Sequence, residues 1–387
     1  MMREIKLTRR ELCLKMGILG LMAGLPLPVF ANNLSPAPSK GQTGDAPLSY
    51  VSAMTDQHNQ HWLAIIDTHG ELLHKLALPE RAHQIAVNPA KPEVAVAARR
   101  PGTYLVIANS LTGEQLYSLE PVPGHHFYGH AAYSFDGRFL YTTENHIESG
   151  EGRIFVRDAQ EHYEIQNVFP SYGIGPHELR VHPDGETLVV ANGGILTHPE
   201  QGREKLNLNT MAPSLVYISR ETGKLLEKQE LPEEWHQLSI RHIDINQQGL
   251  VAIAMQYQGD PIDSVPLIAR HNRGSAIHTL MAPDEINAGM QNYCGSVCFN
   301  RSGSAFAVTA PRGNLISLWD ASDGTFIKDF RCRDVCGISQ YGQEGFMFSN
   351  GLGKLYRLEN GLAQLNMLES NTNASFAWDN HMSLVHA

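Results

Sequence analysis

The 387-residue chain is short of cysteine, of positive charge and of long apolar runs, and each shortage excludes a class of protein. Five cysteines are too few to frame a disulfide-stapled miniature fold. Thirty Lys and Arg against forty Asp and Glu, a formal net charge of −10, argue against a protein that wraps nucleic acid phosphates. Several catalytic signatures are missing too: there is no nucleophile elbow, no C-x-x-C-H haem attachment site and no fixed acid/base pair. What remains is 42% hydrophobic with 34 Gly and 21 Pro, a soluble globular composition rich in turn formers, with room for one large core or two ordinary ones.

The first 31 residues stand apart from the rest. Thr8 to Lys15 is a charged region and is followed from Met16 by an apolar run that ends in Val29-Phe30-Ala31, the order of an export signal with a small-residue cleavage site. The run is only about sixteen residues and contains Gly17, Gly20, Gly24, Pro26 and Pro28, so it is a poor membrane span. The Arg9-Arg10 pair resembles the twin-arginine signal, which exports folded proteins to the bacterial periplasm; a general secretory signal is the other reading. Cleavage after Ala31 removes Arg3, Lys6, Arg9, Arg10, Lys15, Glu4 and Glu11, leaving 25 basic and 38 acidic residues, net −13. No membrane span then remains, and residues 32–46, rich in Ser, Pro and Gly, read as a flexible linker.

The rest, residues 47–387, repeats itself. His83 to Ala97, His130 to Thr143, His177 to Ala191 and His242 to Ala254 each join two apolar alternations through a turn, and looser copies follow at Ser296 to Thr309, at Gly337 to Ser349 and from Ser375. A third strand ending in a polar turn follows most hairpins, as in Ala64 to Gly70 or Ile316 to Gly324, and then a fourth apolar stretch. The first steps are 47, 47 and 65 residues, bracketing one four-stranded propeller blade. The period of two excludes a helical repeat. The spacing predicts an all-β, seven-bladed β-propeller. Leu48 to Met54 and Trp62 to Asp67 have no inner hairpin of their own, so the N- and C-terminal strands are expected to close the ring in one blade.

In such a ring the first strand of each hairpin begins, and the second ends, on the same axial face. That face collects His83, His130, His177, Glu178, Arg241 and His242 from strand starts, and Arg100, Glu144, Asn145, Asn192, Gln256, Tyr257 and Arg312 from strand ends. Any one of these groups suits an exposed strand end; the whole set on one face reads as a ligand site. His130, His177, Glu178 and His242 form a candidate set for iron, zinc or copper. However, His177 stands eight residues before its turn glycine, Gly185, while His130 and His242 stand seven before Gly137 and Gly249, so alternation does not require one ring of ligands. The long step comes from an insertion, Gly194 to Ser214, that leaves the polar face and is a candidate lid or partner loop.

Cys294, Cys298, Cys332 and Cys336 recur about one blade apart, and four residues along a strand span about 13 Å. A local disulfide is therefore excluded. A bridge between blades, Cys294 to Cys332 or Cys298 to Cys336, suits an oxidising compartment, with a four-thiolate metal site as the sharper alternative.

The stretch from Thr143 to Ala159, Gly173 to Leu179, Val189 to Pro199, Lys205 to Tyr217 and His236 to His242, continued at Gln256 to Gly259 and Asp334 to Gly337, resembles domain-of-unknown-function family 1513 of bacteria over nearly the whole mature chain. His146 stands where an acidic residue is more usual in that family. The resemblance implies a periplasmic propeller similar to the YVTN and WD40-like groups. It also implies a role in iron acquisition beside imelysin-like and di-haem oxidoreductase partners, and it carries over no catalytic residue. The reading that results is a binding or scaffold protein holding iron, another transition metal, a haem-type ligand or a partner on its polar face. A lactonase-like hydrolase or oxidoreductase using His177, Glu178 and His242 around a metal is the alternative.

Overall fold

The computed structural model describes residues 48–202, 204–359, 363–370 and 376–385. Seven four-stranded antiparallel sheets follow one another around a ring. Numbered from the N-terminus, blade 1 pairs Phe376–Val385 with Ser49–Asp56, His61–Asp67 and Leu72–Leu78, so the chain ends meet in one sheet and the ring is closed as the repeats predict. The innermost strands of blades 2 to 7 are Ala82–Val87, His125–Tyr133, Pro176–Val181, Leu238–Ile245, Ser296–Phe299 and Val335–Tyr341. The export signal and linker expected in residues 1–46 lie outside the described residues. Among the described residues no helix is long and apolar enough to cross a membrane.

The sequence of each strand follows from its place in the blade. Second strands such as Thr187–Asn192 and Ala305–Ala310 are buried at every position, because a neighbouring blade covers each face. They therefore run continuously apolar and small instead of alternating. Fourth strands have water on one face, and Leu225–Glu230 alternates buried-side and exposed residues as a half-covered strand should. The hydrophobic core consequently lies between blades: Met347 and Leu355 of blade 7 pack with Tyr50, Ala64, Trp378 and Met382 of blade 1, sealing the ring. Arg81, leading into blade 2, adds a two-pronged contact to Asp379 of the closing strand, its second prong at 3.2 Å. The hairpin turns that mark the repeats, at Gly137, Gly185 and Gly249, have φ of +69°, +71° and +85°, where a side chain would be strained.

The cross-blade disulfide is corrected by the structure, in which Cys294, Cys298, Cys332 and Cys336 are free thiols. Their strands are neighbours, but their side chains turn to different blades. Cys294 points back to the Leu267 carbonyl of blade 5, while Cys332 packs with Val335, Phe346 and Phe348 of blade 7. Cys298 lies toward Asp244 of blade 5, and Cys336 faces the Trp378 carbonyl of blade 1. Burial pushes the Cys294 and Cys332 thiols up to about 12, which makes them inert packing groups.

Candidate functional site

Five imidazoles meet on the ring axis, one from each of five consecutive blades: His381, His83, His130, His177 and His242. Blades 6 and 7 place Ser296 and Gly337 at the equivalent points; the Ser296 hydroxyl lies 3.3 Å from His381 Nδ1, and Gly337 stands against His381 and Met382. Large side chains occupy five positions of the circle and small ones two. His130 is central, its ring 4.8, 4.9, 5.6 and 4.9 Å from those of His83, His177, His242 and His381. Potential donor atoms of His83, His130 and His177, and of His130, His242 and His381, lie within 4.8 Å of one another.

The backbone explains how histidines at unequal spacings converge. Ladder register breaks between Ala82 and Ile85, Phe127 and Ala131, Pro176 and Glu178, and Ile240 and His242, each break falling at or beside the blade's histidine. In blade 1 three residues, Asp379 to His381, oppose Ala53 alone. A bulge adds a residue without advancing the pairing and re-aims the side chain. The extra residue between His177 and its glycine is absorbed in this way, so simple alternation underestimated the cluster. Gly129, at φ +105°, lets the chain pass close to His83: a Cβ there would sit 2.7 Å from the ring's Cδ2.

The five rings are deeply buried, from 1% exposed for His130 to 7% for His177. Burial drives all five well below the ordinary histidine value, to about 3 for His242 and His381, with neighbouring cations adding to it. They are neutral imidazoles with lone pairs. Among the described residues His83 Nδ1, both nitrogens of His130 and His381 Nε2 have no hydrogen-bond partner. Such orphans are costly in a folded interior.

Glu178 lies behind the rings. It accepts from His242 Nδ1 at 3.1 Å and from the Ile243 amide at 3.2 Å, and its other oxygen is 2.7 Å from the Arg180 guanidinium and 3.7 Å from His130 Nδ1. Burial raises its carboxyl while Arg180 opposes the rise, and Arg180 also reaches toward Asp244 at 3.8 Å. With Nδ1 of His242 held by a carboxylate, its Nε2 lone pair is left for the axis, the arrangement in which a carboxylate orients a metal-ligating imidazole. His177 differs, because its Nδ1 accepts from Arg241 at 3.2 Å.

Above the rings opens a cavity of about 740 Å³, whose wall includes His83, His177 and His242. Of the sequence-derived candidates, Arg100, Arg241, Gln256, Tyr257 and Arg312 also line it, and His130 and Glu178 lie deeper. Glu144, Asn145 and Asn192 are not brought to it. Glu144 is tied to Arg157 and Thr142 inside blade 3; Asn192 holds the Ser171 carbonyl; Asn145 pairs across the sheet with His126. They stand at strand ends as expected, but Glu144 turns into its own blade and Asn192 to the neighbouring one. Arg99, at the same strand end as Arg100, lines the cavity too, and His381, Tyr128 and Lys205 are additions. The usable signal for His381 was its place in the last hairpin copy. The Gly194 to Ser214 insertion, with two short 3₁₀ turns, borders the cavity through Gly202 and Lys205; Thr197 accepts from Arg100 at 2.8 Å and Asn207 braces Gly194.

A model of one family, described as "Protein of unknown function (DUF1513)", matches residues 76–385. The chain belongs to the DUF1513 family. No functionally curated protein matches the sequence. Among solved structures, the Kuenenia stuttgartiensis hydrazine synthase resembles the DUF1513 chain with a TM-score of 0.56 at 12% identity, over 87% of this chain and 100% of that one. At that identity the likeness concerns the propeller fold alone. All five axial histidines of this DUF1513 protein fall inside the matched span.

The histidine values fix the direction of a pH effect. A group whose native pKa is depressed stabilises the fold fully above its unfolded value near 6.5, and that contribution is lost as pH falls toward the native value. Metal-free protein is therefore expected to lose stability as pH falls from about 6.5 toward 3, with His242 and His381 both contributing. Thermal melts at intervals across that range check it; a flat midpoint between pH 6.5 and 4.5 would contradict the buried neutral cluster.

Proposed function

We propose that this protein is a periplasmic binding protein that holds a divalent transition metal in its axial histidine well, as an accessory to iron acquisition. The observation that carries the reading is the set of buried, neutral imidazole nitrogens on His83, His130 and His381 with no partner in the protein, beside a His242 oriented by Glu178. Neutral imidazole is a ligand of intermediate softness that suits ferrous iron, zinc, copper or nickel better than magnesium or calcium. Of the ligands read from the sequence, His130 and His242 keep a first-contact role in this proposal and Glu178 takes an orienting one. His177, tied to Arg241, is a weaker donor than His83 or His381.

Export by the twin-arginine route and partners of the imelysin or di-haem type belong to the same proposal, since a metalloprotein folded before export would carry its ion out with it. The open cavity beside the well supports a second reading, a metal-dependent hydrolase or oxidoreductase working on a bound small molecule. The test is metal analysis by mass spectrometry of the protein purified from periplasm, followed by titration of the metal-free form with Fe(II) under anaerobic conditions and with Zn(II). One bound equivalent per chain is expected. Less than about a tenth of an equivalent in the purified protein, together with no saturable uptake on titration, would sink the metal reading.

A further inference from the structure

The cavity above the histidines has a chemistry of its own. Its wall contains Arg99, Arg100, Lys205, Arg241 and Arg312, against one carboxylate, Asp263. Asp263 is already taken by the Tyr257 hydroxyl at 2.7 Å. In a chain of net charge −10, five cations gathered on one cavity form a strong local inversion of field, and a concave low-dielectric wall focuses such a field on a ligand. Arg241 is the most constrained of them. It is 6% exposed, one terminal nitrogen is on His177, and its Nε has no partner among the described residues. Arg100 and Arg312 are held ready by aromatic faces, 5.4 Å over Tyr128 and 4.2 Å over Tyr293.

We propose that this cavity binds a small organic polycarboxylate, gripped by Arg100, Arg241 and Arg312 and walled by Tyr257 and Tyr293. Guanidinium groups match planar carboxylates with paired hydrogen bonds. The volume of about 740 Å³ is that of an organic-ligand pocket, and the tyrosine walls give a carbon skeleton something to pack against. An inorganic ion such as phosphate would use the charge and leave the aromatic wall unused. The proposal deepens the metal reading, since a carboxylate oxygen entering from the cavity lies next to the well, but the cations alone define the anion site and it can be tested without metal.

The experiment is calorimetric titration of metal-free protein with tricarballylate, which lacks the chelating hydroxyl of citrate, at low and at physiological ionic strength. One saturable site per chain is expected, weakened by salt. The Arg100→Gln/Arg312→Gln double variant is expected to bind about tenfold or more weakly, as the loss of two charge-assisted contacts implies. Arg312→Gln alone, at an exposed position, should weaken binding measurably with an unchanged melting temperature, which separates loss of the site from loss of the fold. Inorganic phosphate, run in parallel, should bind at least about tenfold more weakly than tricarballylate if the aromatic wall contributes as argued. No saturable tricarballylate binding, equal binding by the double variant, or phosphate binding as tightly would each overturn the proposal. Metal content of the same variants is read separately. A protein that takes the anion but no metal refutes the well and keeps the cavity, and the converse refutes the cavity and keeps the well.

Discussion

His130→Leu is expected to abolish stoichiometric metal binding while leaving metal-free protein as stable as the wild type or more so. His130 is the central ring, within 5.6 Å of the other four, and it belongs to both triads of donor atoms. Loss of an outer-shell partner alone typically weakens a metal site 10- to 100-fold, so removing a ligand shared by both triads should cost at least about 100-fold. The stability expectation has the opposite sign. Both nitrogens of His130 are buried without a hydrogen-bond partner among the described residues, and each such group costs about 1–3 kcal/mol in a folded interior. Leucine fills a similar volume with no polar atom to satisfy. The melting temperature of the metal-free variant should therefore stay level or rise by a few degrees, on the scale of about 2–4 °C per kcal/mol for a large domain. A well that exists to hold the fold together would give the reverse: a large fall in melting temperature. Metal titration and thermal melts on the same preparation distinguish the two.

Ending the chain at Ser375 is expected to prevent cooperative folding altogether. The missing segment is the innermost strand of blade 1, whose Trp378, Met382 and Val385 are 3%, 5% and 5% exposed. Each such side chain contributes about 1.5–3 kcal/mol by burial, before the ladder with Ser49–Asp56 and the Arg81 contact to Asp379 are counted. The total reaches the whole stability of a typical domain, about 5–15 kcal/mol. The strand left behind, Ser49–Asp56, is buried at six of its eight positions and would become a long apolar edge open to aggregation. The measurement is soluble yield followed by a thermal melt; a truncated chain with a wild-type transition would show that the ring does not depend on this closure.

The two expectations rest on features that differed in how far the sequence revealed them. Ring closure was legible because strands at both ends of the chain lacked partners of their own, and a propeller can leave no such edge exposed. The repeat of apolar hairpins at blade-sized steps fixed the number of blades, and the histidines at the hairpin starts pointed to the axial face. The export signal expected in residues 1–31 falls outside the described residues.

Where the reading fell short, the reason was geometric. Period-two alternation assumes an unbroken ladder, and the inner strands break theirs at the histidines, so the convergence of five rings was hidden by bulges that no spacing rule marks. His381 was within sight in the last hairpin copy but carried no separate signal. The cysteines matched a blade-length repeat, yet strands that are neighbours in the ring aim their thiols at different blades, and no disulfide forms. Glu144 and Asn192 sat at the expected strand ends and turned inward to Arg157 and to the Ser171 carbonyl. The sequence by itself determined the architecture, because a repeat states its hydrophobic period and its turns many times over. Only the tertiary structure decided the site, because whether a strand-end side chain faces the axis, a neighbouring blade or the cavity depends on a single residue of register, and that is set by packing between segments far apart in the chain.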